Sequence, residues 1–157
     1  LFLPPVYGKA LRSIYEPFGF SHTFATVGGI LPADTVTGGR TDIFVPAGVA
    51  RITLSAAGRD FASYMEEAER QATSAGAVVI QVFFPLTWPW AGAAADILRR
   101  QGYFLGGALP HWFDDDGLLM QKLLIDPDFD GIRLFRKQAQ KILDLVKQDW
   151  LSVRSGV

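Results

Sequence analysis

The sequence predicts an α/β domain in which one mixed sheet is flanked by helices. Two observations carry this. The stretch Val78-Val79-Ile80-Gln81-Val82-Phe83-Phe84, closed by Pro85, is apolar apart from Gln81, as expected of a central strand covered on both faces. Around it, segments with strand patterning and segments with helical spacing follow one another rather than separating into blocks, which is the order that builds a layered sheet-and-helix domain.

Composition bounds the rest. With 157 residues, the chain is the size of a single domain and large enough to bury a core. Its 49% hydrophobic and 20% charged content is globular rather than disordered. A net charge of −1 gives no electrostatic reason to expect a nucleic-acid partner. Cysteine is absent, which excludes disulfides and thiolate metal sites and fits a reducing, cytoplasmic setting. No apolar run approaches the roughly 20 residues that span a bilayer. The start at Leu1 rather than methionine predicts a segment of a larger protein.

Taken in order, Pro4-Pro5 forces an extended opening. Val6, Ala10, Leu11, Ile14 and Tyr15 then recur at helical spacing, so a helix is expected from Pro5 to Glu16, stopped by Pro17 and Gly19. Phe20 to Val27 reads as a strand, and the Gly-, Pro- and Thr-rich residues 28–39 as a loop. Thr41–Val45 and Val49–Ala56 form a hairpin around Pro46-Ala47-Gly48. Asp60 caps a helix whose buried stripe is Phe61, Met65, Ala68 and Ala72, ended by Gly76. After the central strand, Thr87 caps a helix from Trp90 to Gln101 with Ala91, Ala94, Ala95 and Leu98 facing inward. Strands Phe104–Pro110 and Gly117–Leu124 follow, joined by an acidic turn. Asp126-Pro127 then opens a long last helix with Phe135, Ala139, Ile142, Val146 and Trp150 as its stripe.

This order resembles the GNAT fold of acyl-CoA-dependent N-acetyltransferases, minus its first strand, most closely between Val49 and Leu124. Leu98-Arg99-Arg100-Gln101-Gly102-Tyr103 is similar to the signature that ends the family's late helix. Phe83-Phe84-Pro85-Leu86, the run from Gly102 to Phe113 and Asp116 to Gln121 are similar to a subgroup found C-terminally in bacterial multidomain proteins. Those proteins also carry an anti-sigma-factor-type, histidine-kinase-like ATPase domain. Leu3-Pro4-Pro5-Val6-Tyr7 and Ile14-Tyr15 resemble the entry to the same domain. The resemblance implies a GNAT-like domain over residues 1–125 and an extra C-terminal helix over 126–157, packed on that domain or on a partner.

An acetyltransferase of this fold needs helix N-terminal amides for the cofactor pyrophosphate, a strand amide to polarise the thioester carbonyl and an acid for the leaving thiolate. The resemblance places the phosphate loop between Ala56 and Asp60, so the candidate cofactor-binding residues are Gly58 and Arg59, with acetyl-CoA as the implied cofactor. The loop has one glycine where the family has two, and Asp60 adds repulsion to a phosphate. The family's tyrosine acid falls four residues before Gly102, at Leu98, which cannot donate a proton. Tyr103 is expected to face the core and Tyr64 to serve as a packing residue. No catalytic residue is therefore assigned. The expected function is a degenerate GNAT-like ligand-sensing or protein-interaction module of a cytoplasmic signalling protein. The alternative is an active N-acetyltransferase with unusual residues.

Other constellations are weaker. His111, Trp112 and Asp114-Asp115-Asp116 share a turn that reads as a solvated acidic turn, and two histidines are too few for a zinc site. Trp88, Trp90, Trp112, Phe83 and Phe84 gather at strand ends, as a pocket wall or an interdomain contact. Lys137, Lys141 and Lys147 alternate with Asp144 and Asp149 as a solvated helix face. The expected partners are other domains of the parent protein, an acyl-CoA or small apolar ligand, and a second copy through the last helix.

Overall fold

The computed structural model describes residues 1–19 and 22–156. Five strands form one mixed sheet. In chain order they are β3 (Gly38–Phe44), β4 (Val49–Ala56), β5 (Val79–Pro85), β6 (Phe104–Leu109) and β7 (Gly117–Leu123), and across the sheet the order is β3-β4-β5-β7-β6. The pairs are antiparallel except β4 with β5, which is parallel. Two short strands, β1 (Phe2–Leu3) and β2 (Ala25–Thr26), pair in parallel apart from this sheet. The α-helices are α1 (Gly8–Tyr15), α2 (Phe61–Ser74), α3 (Ala91–Arg100) and α4 (Lys137–Ser155).

The apolar pattern positions these elements as expected. In α2 the buried residues are Phe61, Met65, Ala68 and Ala72, and in α3 they include Ala91, Ala94, Ala95 and Leu98. The alanines bring α3 close to its neighbours. β5 lies between β4 and β7 with Ile80, Val82 and Phe84 fully covered. Gly76 and Gly102 stop their helices at φ of 90° and 91°, where a side chain would be strained.

Several expectations are corrected. Of the strand expected over Phe20 to Val27, only Ala25–Thr26 is a strand, and Phe20 and Ser21 lie outside the described residues. The last helix begins at Lys137, not at Asp126. The Asp128 carboxylate accepts from the Gly131 amide at 2.9 Å, a local turn that competes with helix, and Phe135 is 99% exposed rather than part of the stripe. Thr87 does not cap α3, whose N-cap position is Trp90.

The C-terminal helix packs on its own domain, against β6. β6 is an edge strand with a register shift between Leu105 and Gly107. The Leu105 amide donates to the Asp149 carboxylate at 2.7 Å. The same carboxylate accepts from the Tyr7 hydroxyl at 2.8 Å and from the Arg99 guanidinium, whose other nitrogen reaches the Ser152 hydroxyl at 3.3 Å. Asp149 is therefore not part of a solvated face: it and Arg99 are only 12% and 15% exposed. Burial, and then the neighbouring Asp149 charge, push the Tyr7 phenol well above its usual range. One aspartate thus ties together α4, β6, α3 and the turn before α1.

Removing one member of a largely buried, hydrogen-bonded ion pair strands the other charge. Asp149→Ala is expected to lower the unfolding free energy by about 3 kcal/mol, measured by urea denaturation. Lys147→Ala, whose ion pair with Asp130 is exposed, is expected to cost less than about 1 kcal/mol.

Candidate functional site

Ligands of α/β sheets bind beyond the carboxyl ends of parallel strands, where neighbouring strands diverge. Here the parallel pair is β4 and β5. Its register runs from Val49 opposite Val79 to Thr53 opposite Phe83 and stops there. Beyond that point Phe84 and Pro85 pair only with β7, opposite Leu118 and Gly117. Leu54 and Ala56 pair only with β3, opposite Gly39 and Gly38. The two strands part, and α2 and α3 start just beyond their separated ends.

Segment 27–37 crosses this opening. At one end the carbonyl oxygens of Val27 and Gly28 lie so close to Gly92, in the first turn of α3, that a Cβ there would meet them at 2.5 and 2.7 Å. Gly29, at φ 65°, lies against the backbone of Pro89 and Trp90 in the same way. Leu31, midway, is partly buried against the core. At the other end the Thr35 carbonyl oxygen lies 1.6 Å from where a Gly58 Cβ would stand, so only glycine fits beneath it.

Thr37 then anchors the segment. Its hydroxyl accepts from the Gly58 amide at 2.9 Å and donates to Asp60 Oδ1 at 2.8 Å, while its own amide donates to the same oxygen at 2.9 Å. These bonds from Thr37, the backbone one foremost, hold the Asp60 carboxyl below its usual range. Asp60 occupies the N-cap position of α2, as the sequence predicts, but its side chain makes no cap hydrogen bond and serves Thr37 instead. Gly58, a candidate cofactor-binding residue, is buried, and its amide is bonded within the chain. Arg59, the other candidate, is exposed beside it.

Leu98 is fully buried in α3. Tyr103 faces the core, and its hydroxyl donates to Glu69 at 3.1 Å. Tyr64 packs against the core from α2. The aromatic residues fall into separate pairs rather than one pocket wall. Trp88 lies against Trp90 with ring centres 4.1 Å apart, and Phe83 stacks on Trp112 at 5.7 Å.

The acidic turn also departs from the sequence reading. Asp116 is 1% exposed, not solvated. Its carboxylate accepts from the His111 amide at 3.0 Å and lies 2.9 Å from His22 Nε2. Tyr15 adjoins it, and burial followed by the Asp116 carboxylate pushes that phenol well above its usual range. Tyr15, His22 and Phe24 lie ring against ring. The cluster pins His22 and Phe24 to the turn between β6 and β7. His22 and Asp116 are distant in sequence, and neither periodicity nor motif joins them. No group of three or more His, Cys, Asp or Glu among the described residues could hold a metal ion. None of the described helices is long and apolar enough to cross a membrane.

Comparison with protein-family models, with curated proteins and with solved structures gave no match.

The Thr37 anchor is testable by stability. Thr37→Val removes the acceptor for a buried amide, and an unsatisfied buried donor costs about 1 to 3 kcal/mol. A loss of that size in urea denaturation is expected. Thr35→Val, which keeps the backbone carbonyl over Gly58, is expected to cost less.

Proposed function

We propose that this chain is a ligand-sensing or protein-interaction module built on a degenerate GNAT-like fold, serving a larger cytoplasmic signalling protein. The strand order β3-β4-β5-β7-β6 and the parting of the parallel pair support the fold reading. One observation carries the loss of acyl-CoA chemistry. The amide of Gly58, which would have to face a cofactor phosphate, is bonded to Thr37 and covered by the Thr35 carbonyl. A pyrophosphate at that amide would displace segment 35–37 and stand against the Asp60 carboxylate. Backbone amides favour an anion only while they are exposed and unbonded.

The position of the acid adds to this. A leucine with no exposed surface can neither reach nor protonate a leaving thiolate. On this reading the fold keeps its frame, the opening between β4 and β5 is closed by the chain itself, and recognition falls to the outer surfaces. The partners are then other domains of the parent protein.

A melting curve with and without acetyl-CoA tests the proposal. No rise in Tm is expected at millimolar acetyl-CoA, and no thiol release with amine substrates. A ligand present at about 100 times its Kd adds roughly 2.7 kcal/mol. A Tm rise corresponding to stabilisation of that order, with thiol release, would establish the acetyltransferase alternative.

A further inference from the structure

The two edges of the sheet are treated differently. The β6 edge is covered by α4, and Asp149 takes the Leu105 amide. Among the described residues, no helix covers the β3 edge in this way. β3 is hydrogen-bonded to β4 alone within its sheet, and Gly39, Arg40, Thr41, Ile43 and Phe44 are exposed. An edge strand of seven residues with apolar side chains at its end is a template for another strand. Neither proline nor lysine interrupts it.

Its sequence, Gly38-Gly39-Arg40-Thr41-Asp42-Ile43-Phe44, is self-complementary when run against itself. Directly opposed residues in an antiparallel pair share a face, so a two-fold pairing of identical strands centres on a residue. Centring on Arg40 would set that guanidinium against its own copy, and centring on Asp42 would oppose two carboxylates. Like charges directly opposite are destabilising. Centring on Thr41 sets Arg40 against the second copy's Asp42, and Asp42 against the second copy's Arg40. The same register lays Ile43 and Phe44 over the second copy's Gly39 and Gly38, where no side chain competes for the space. Arg40 and Asp42 are already held together on one face, Arg40 Nε to Asp42 Oδ2 at 2.9 Å, and both stand in solvent at 79% and 40% exposure. Arg51, opposite Asp42 on β4, lies over the Phe44 ring at 4.9 Å and holds it on that same face.

We infer that β3 pairs antiparallel with β3 of a second copy, centred on Thr41, joining two five-stranded sheets into one continuous sheet. The charge pattern acts as a register lock. It repels the neighbouring two-fold registers and admits this one.

The chain has no cysteine, so single-cysteine variants report the register directly. Opposed Cα atoms in an antiparallel pair are about 4.5 to 5.5 Å apart, within disulfide reach. Under mild oxidation Thr41→Cys is expected to give a covalent dimer, and Phe44→Cys, far from its own copy in this register, is not. Sedimentation of the unmodified chain is expected to show twice the monomer mass. Arg40→Asp is expected to weaken association by about tenfold or more, and the exchange Arg40→Asp with Asp42→Arg to restore it. All these side chains are exposed, and unchanged circular dichroism and Tm of the monomer check that folding is kept. A monomer at every concentration, equal cross-linking at positions 41 and 44, or a dimer indifferent to Arg40→Asp would each overturn the inference. The last would place association on another surface, such as α4.

Discussion

The separation of β4 from β5 beyond Thr53 and Phe83 is the constraint on which the rest of this structure depends. Up to that point the parallel pair satisfies its own backbone. Past it, each strand keeps only its other neighbour, β3 for β4 and β7 for β5, and an opening is left between the starts of α2 and α3. Such an opening exposes backbone amides, which need acceptors. For the Gly58 amide, in the turn before α2, the acceptor is internal. Segment 27–37 crosses the opening, Leu31 packs inward, and the Thr37 hydroxyl takes the Gly58 amide. Asp60 completes the arrangement by accepting twice from Thr37. A carboxylate at a helix N-terminus also suits the helix dipole. The Asp60 carboxylate thus stands where an incoming anion would meet it, bonded to Thr37 rather than to the amides of α2.

The same accounting of backbone groups separates the two edges of the sheet. At β6 a register shift and a partly buried aspartate let α4 close the edge, with Arg99 neutralising the aspartate's charge. At β3 the outer side faces solvent with two opposite charges on one face. A helix covering one edge and an open strand at the other leave β3 as the sheet's surface for strand addition. This fits a domain whose recognition lies outside the opening between β4 and β5.

Much of the frame was legible in the sequence, because burial leaves a period. The stripe of α2 and the inward alanines of α3 follow from helical spacing, and the β3–β4 hairpin follows from Pro46-Ala47-Gly48 between β-rich runs. What was not legible rests on single long-range polar contacts. Asp60 has the sequence signature of a cap, yet a threonine 23 positions earlier takes its carboxylate. Asp116 looks like one of three solvated acids, yet it is the buried one, facing His22. Asp149 has the spacing of a solvated helix face, yet it is the acceptor for Tyr7, Arg99 and Leu105. Local turn chemistry explains the late start of α4, where Asp128 and Gly131 form a turn that the apolar spacing after Pro127 could not reveal. Glycine at position 58 was visible as a candidate phosphate contact. That its missing side chain makes room for Thr35 was not.

The central claim, that the chain itself closes the opening between β4 and β5, is tested most directly by the Gly58 amide in solution. Amide hydrogen exchange followed by NMR, with and without acetyl-CoA, reads it residue by residue. The account predicts slow exchange at Gly58 and Thr37, and no change in the resonances of Leu54, Gly58 or Arg59 when acetyl-CoA is added. Fast exchange at Gly58, with shifts at those residues that saturate as acetyl-CoA is raised, would contradict it.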